Sequence, residues 1–261
     1  MGTAQMQGTL WGSRPKDWAE LGEPVSRPAF EAVFARAKVG RGTRVLDLGC
    51  GAGTALVYAR SLGAEVAGLD AAEPLVEIAR SRLPGARIEL GDLEALPFDD
   101  NSFNVVTGFN SFQFAGDIPR ALAEAARVCK PGGSVTMCVW GTKDECESVA
   151  TTISAMMALV PPPPPSVRPP LSTPGIVEGL LKEAGLDPIA REGVDCPFVY
   201  KDAAIAWRSF ASAGLTELVF RQVGEAKVKQ VALESIKPFT RADGSVVQKN
   251  RFYWTMGVKQ R

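Results

Sequence analysis

The stretch Arg44-Val45-Leu46-Asp47-Leu48-Gly49-Cys50-Gly51-Ala52-Gly53 decides how this chain is read. Residues 45–48 form a short apolar run broken by one acid, which reads as a buried strand. Glycines follow at 49, 51 and 53, and residues 54–60 open a helical pattern. A strand, a glycine-rich turn and a helix N-terminus together let backbone approach a nucleotide-like ligand closely. A dinucleotide fingerprint needs Gly-x-Gly-x-x-Gly, with a pyrophosphate at the helix N-terminus. Here position 54, where its third glycine would fall, is Thr, and Asp47 lies close to where a pyrophosphate would rest. A ligand with an ammonium group and a ribose but no phosphates suits the stretch better.

Working outward, residues 64–69 read as a second strand ending at Asp70, 17 residues beyond Gly53. An acid at that strand tip can accept hydrogen bonds from both ribose hydroxyls, the reading that strand, glycine loop and spacing favour over a plain cap for a helix over 71–83. A third strand, 87–90, runs into the loop 91–103. A fourth, 104–108, delivers Asn110 and Gln113 to the carboxyl edge of the sheet, where ligands sit in open α/β folds. Either amide can orient a ligand or bond local backbone. A helix over 117–129, a turn at 130–133 and a fifth strand over 134–140 complete this half.

The glycine stretch resembles motif I of the class I S-adenosylmethionine-dependent methyltransferases. Two later phrases are similar to the ubiquinone/menaquinone-biosynthesis type of small-molecule methyltransferase. They are Leu96-Pro97-Phe98-x-x-x-Ser102-Phe103-Asn104-Val105-Val106 and Ala121-Leu122-x-Glu124-x-x-Arg127-Val128-x-Lys130-Pro131-Gly132-Gly133. The resemblance covers residues 44–140. It implies an α/β fold: a Rossmann-like, mostly parallel seven-stranded sheet with helices on both faces, plus a helical cap. It also implies S-adenosyl-L-methionine as cofactor, with S-adenosyl-L-homocysteine as product. The expected binding residues are Asp47, Gly49, Cys50, Gly51, Gly53, Asp70, Ala71, Asp92, Leu93, Asn110 and Gln113. Of these, Asp92 matches the acid that meets the adenine amino group, and Leu93 the residue whose backbone meets a ring nitrogen. Trp11, Arg14 and Trp18 join them as an N-terminal lid, although both indoles could instead pack on the domain surface. The chain departs from the pattern at Asn104, where the family usually has Asp, and at Asn110 and Gln113, where it often has His.

Elsewhere the reading is coarser. Pro28 at N1 opens a helix with Phe30, Val33, Phe34 and Ala37 on one face. Residues 147–159 suit a helix whose Met156-Met157 pair makes an adaptable apolar wall. Pro161 to Pro165 favour an extended segment, either a surface linker or one wall of a pocket. Thr173 as N-cap, Pro174 at N1 and Gly185 at C′ bound another helix. A sixth strand is expected over about 187–200 and a seventh over 248–258, with cap helices at about 202–237. The whole reads as one methyltransferase domain: an N-terminal lid and helix to 42, a cofactor-binding core over 43–141, a Pro-rich insertion over 142–173, and the rest of the sheet with its cap.

Composition narrows the function. Lys+Arg and Asp+Glu are both 29 of 261 residues, which leaves no electrostatic footprint for nucleic acid or an anionic membrane. No secretory signal, spanning segment or myristoylation motif is visible, so a cytoplasmic protein is expected. Five cysteines without a Cys-x-x-Cys pair argue against a disulfide scaffold or a zinc site. Histidine is absent, which removes the usual general base and the commonest metal ligand. Asp17, Glu20, Glu145, Tyr200 and Tyr253 remain as candidate bases, none marked by a motif, so no catalytic residue is assigned. The apolar content of the cap favours a small, apolar or aromatic methyl acceptor, unless those residues are simply the cap's own core. The rival readings are a non-catalytic S-adenosylmethionine-binding protein, a nicotinamide-dependent oxidoreductase and a macromolecular methyltransferase.

Overall fold

A computed structural model describes residues 3–162 and 169–260. Seven strands form the main sheet: β1 (Arg44–Leu48), β2 (Glu65–Asp70), β3 (Arg87–Leu90), β4 (Phe103–Phe109), β5 (Cys129–Trp140), β6 (Leu186–Asp195) and β9 (Arg251–Lys259). A two-stranded ribbon pairs β7 (Phe198–Tyr200) with β8 (Val246–Gln248). The sheet order is β3-β2-β1-β4-β5-β9-β6; the first five strands run parallel, and β9 lies antiparallel between β5 and β6. This is the expected Rossmann-like, mostly parallel α/β architecture.

Both faces of the sheet are covered, so its strands are apolar on both sides. Val45 and Val105 belong to one buried cluster, with Phe30, Val33 and Phe34 of the helix Arg27–Arg36. Leu46, Leu48 and Val106 belong to the other, with Leu122 and Ala125 of the helix Ile118–Val128. Strand order reverses at β1, and that switch point opens a crevice at the carboxyl ends of β1 and β4. Three helices between β7 and β8, Ala203–Ala211, Gly214–Val223 and Glu225–Ser235, stand beside that opening.

Several local expectations are corrected. The sixth strand does not run unbroken to 200: Pro197 has no amide proton to give a ladder, and β7 leaves for the ribbon with β8. Gln248 accordingly belongs to β8, and β9 starts at Arg251. Lys130 to Gly133 is a bulge inside β5, between the pairs Phe103–Cys129 and Val105–Ser134. The helix expected from Thr173 begins at Ile176, with Gly175 (φ +88°) as its N-cap and its amide donating to Glu178. Pro28 stands second rather than first in its helix. The expected extended segment at 161–165 falls mostly outside the described residues.

Candidate active site

The glycine turn is built by backbone. Gly49, Gly51 and Gly53 have φ of +73°, +54° and +83°, values that side-chain-bearing residues rarely adopt. The amides of Gly49 and Cys50 both donate to the Leu69 carbonyl on β2, which fixes the turn to the neighbouring strand. A Cβ at Gly49 would run into Ser111, whose hydroxyl donates to the Leu48 carbonyl at 2.6 Å.

Three acids gather around this turn. Asp47 is buried on β1 and accepts from Thr107 Oγ1 at 2.7 Å, across the β1–β4 register. Burial pushes its pKa up to about 8, against the pull of Thr107. Asp70 accepts the Gly51 amide and the Ala72 amide, each at 2.8 Å, one on each carboxylate oxygen. Burial raises its pKa as well. The N-cap of the following helix is Ala72, so Asp70 serves the turn rather than capping that helix.

The third acid, Glu23, has no counterpart in the sequence reading. It comes from the N-terminal helical run over 15–36, whose hydrogen bonding passes from α to π to 3-10 and back to α. Its carboxylate accepts the Ala52 amide at 2.8 Å, the Thr54 hydroxyl at 2.5 Å and the Thr54 amide at 3.4 Å, with Arg82 at 3.7 Å. It therefore sits on the N-terminus of the helix Thr54–Ser61, the place a dinucleotide pyrophosphate would need. Burial pushes its pKa up to about 7.

These groups line one end of a cavity of about 410 Å³. Asp47, Gly49, Cys50, Gly51, Asp70, Ala71, Asp92, Leu93, Asn110, Gln113, Trp11 and Trp18 all face it. Asn110, at φ +54°, has a buried side-chain oxygen with no protein partner. Trp11 and Trp18 meet edge to face at 4.6 Å, and Trp18 lies against Gly22 more closely than any side chain there would permit. Two expected residues stand outside the cavity. Gly53 packs behind the turn against Ala79 and Leu83. Arg14 turns toward the helices beyond β7, pairing with Glu225 at 2.7 Å and lying over Phe220.

The other end of the cavity is apolar and aromatic, with Phe30, Phe109, Trp140, Met156, Phe210 and Phe252 among its walls. Of the candidate bases only Tyr200 reaches it. Asp17 pairs with Arg208 at 2.6 Å, Glu20 is exposed, and Tyr253 donates to Glu145 away from the cavity. Among the described residues no Lys or Arg lines the cavity, so the carboxyl groups of Glu23, Asp47, Asp70 and Asp92 face no cationic side chain across it. Such a donor set fits a cationic ligand with hydroxyls and an amine, and rejects a pyrophosphate.

A family model described as a methyltransferase domain matches residues 46–137. Residues 46–137 therefore carry a methyltransferase domain. Malonyl-[acyl-carrier protein] O-methyltransferase of Salmonella typhimurium is 40% identical over 97 residues, 36% of this chain and 39% of that protein. An uncharacterized Mycobacterium tuberculosis protein is 32% identical over 155 residues, 58% of this chain and 54% of that one. The chain thus spans about half or less of these curated relatives. The fold also matches a chain from the complex between the Haloferax volcanii Trm112 methyltransferase activator and a methyltransferase. That match has a TM-score of 0.63 and 21% identity over 99% of this chain and 98% of the other. The matched span therefore holds the glycine turn with Asp47 and Asp70, while Glu23 and most of the apolar end of the cavity lie outside it.

Proposed function

We propose that this protein transfers the methyl group of S-adenosylmethionine to a small, apolar or aromatic acceptor. One observation carries the reading: a single cavity joins a cation-seeking glycine turn to an aromatic chamber. When bound, S-adenosylmethionine supplies an electrophilic methyl on a sulfonium, whose positive charge vanishes as the carbon–sulfur bond breaks and its electron pair stays on sulfur.

The chain's own residues would act chiefly by binding and placing. Each Asp70 oxygen keeps a lone pair beyond its backbone bond, enough to receive a ribose hydroxyl. Asp92 and Leu93 line the same cavity and would read the adenine edge, and the orphaned Asn110 oxygen is free to accept from an amine. Trp11 and Trp18 act as a lid that keeps water out, and exclusion of water favours a reaction that discharges a cation. Holding two reactants in line can supply roughly 7–11 kcal/mol of the barrier. That leaves little for a general base to add unless the acceptor is a poorly acidic hydroxyl.

Calorimetric titration with S-adenosylmethionine, S-adenosylhomocysteine and NAD⁺ tests this. The expected result is binding of the two adenosyl ligands and none of NAD⁺. Binding of NAD⁺ alone would overturn the cofactor assignment, and adenosyl binding without turnover on any neutral aromatic acceptor would favour the non-catalytic reading.

A further inference from the structure

The aromatic end of the cavity contains one short relay of hydroxyls. Tyr200 on β7 is buried, lines the cavity, and packs its ring in a cluster with Phe198 and Phe210. Its Oη lies 3.0 Å from Ser209 Oγ, and Ser209 Oγ lies 3.3 Å from the main-chain carbonyl oxygen of Leu21. The polarity of this relay is set at its far end. A carbonyl oxygen only accepts, so the Ser209 proton goes to Leu21 and Ser209 has only lone pairs left for Tyr200. The Tyr200 proton is thereby committed to Ser209. What Tyr200 Oη retains for a ligand is acceptor capacity. Burial raises the pKa of this phenol, so it stays neutral and adds no charge of its own.

We propose that Tyr200 is a specificity-determining residue that selects an acceptor presenting a hydrogen-bond donor, a hydroxyl or an amine, to its phenol oxygen. An acceptor presenting a carboxylate or a bare carbonyl there meets lone pair with lone pair, in a cavity whose described walls carry no Lys or Arg to compensate. The contact is an anchor; it discriminates between acceptors without dictating which atom is methylated. It rests on the methyltransferase reading only in calling the bound molecule an acceptor.

The test uses matched probes, naphthalene, 2-naphthol, 2-naphthylamine, 2-acetonaphthone and 2-naphthoate, titrated by tryptophan fluorescence with and without saturating S-adenosylhomocysteine. The wild-type protein should bind 2-naphthol and 2-naphthylamine about 10-fold more tightly than naphthalene or 2-acetonaphthone, the worth of one well-made buried hydrogen bond. Tyr200→Phe should bring those ratios to about 1 while leaving naphthalene binding unchanged. Ser209→Ala should free the Tyr200 proton for the cavity and selectively improve 2-acetonaphthone, which a merely structural role for either residue would not do. The proposal is overturned if the ratios persist in Tyr200→Phe, if 2-acetonaphthone or 2-naphthoate binds best to the wild type, or if no probe binds. Failure of S-adenosylhomocysteine to bind counts against the methyltransferase reading instead, and the ratios without it still judge Tyr200.

Discussion

Glu23 offers the sharpest perturbation, because one atom's change alters its charge without altering its shape. Its carboxylate faces Thr54 and the Ala52 amide, with Arg82 at 3.7 Å and the carboxylates of Asp70 and Asp47 as further charged neighbours. Folding raises its pKa from 4.5 to about 7, with burial the largest cause. Between those values the folded chain holds a proton that the unfolded chain releases, so stability is full below about 4.5 and is lost as pH rises toward 7. That span amounts to roughly 3 kcal/mol at pH 8. Glu23→Gln removes the charge and keeps one oxygen for the Ala52 amide. The Thr54 hydroxyl must then turn to accept from the new amide, a rearrangement worth about 1 kcal/mol. The variant should gain roughly 2 kcal/mol at pH 8, or about 4–8 °C in midpoint, and stand about level with the wild type at pH 5. Asp47 is also raised and tilts both proteins the same way, so the difference between variant and wild type is the quantity to read. Thermal denaturation at pH 5, 6.5 and 8 measures it. Parallel profiles for the two proteins would refute the assignment of a buried, proton-holding Glu23.

Other substitutions probe the turn and the sheet. Asp70→Ala frees the Gly51 and Ala72 amides together and should weaken S-adenosylmethionine at least 10-fold by calorimetry; unchanged affinity would sink the ribose assignment. Gly51→Val places a branched side chain at φ +54° against the Glu23 carboxylate and the Trp18 indole, so binding should be abolished in a protein that still folds. A normal binder would mean the turn is not the cofactor seat. Lys259 Nζ donates to Ala126 O, Cys129 O and Asn101 Oδ1 at 2.8–2.9 Å, closing the C-terminal end of the helix Ile118–Val128. Lys259→Met should cost about 2 kcal/mol in urea denaturation, and a neutral result would show that water replaces those bonds without penalty.

Where the sequence was legible, it was because a local rule and a tertiary demand coincided. Asp47, Gly49, Gly51 and Asp70 follow one another on a strand, a turn and a strand tip, so their spacing places them around one opening, with Gly53 behind the turn. The parallel half of the sheet follows from the same alternation of strand and helix, while the strand order and the place of β9 carry no mark in the sequence. Glu23 was illegible for the opposite reason: it reaches the Ala52 amide across 29 residues, and nothing in a broken helical segment marks one glutamate among several. Arg14 shows the same limit, since the sequence places it beside two cavity tryptophans while Glu225, 211 residues away, takes its guanidinium. Thr107 was missed because only the β1–β4 register sets it against Asp47. The split of the sixth strand carried a local signal in Pro197, which a closer reading of that run would have used.

The placement of β9 has a consequence for synthesis. β5 and β6 both pair with β9 and are held apart by it. On a ribosome adding roughly 5–20 residues per second, residues 251–259 emerge on the order of several seconds after β6 is complete. Throughout that interval the edges of β5, which is largely apolar, and of β6 stand open with the slot for Phe252, Trp254 and Met256 unfilled. The nascent chain is most vulnerable to aggregation just before its last strand arrives, and a pause in translation ahead of residue 251 would lengthen that exposure more than a pause anywhere in the glycine-turn half.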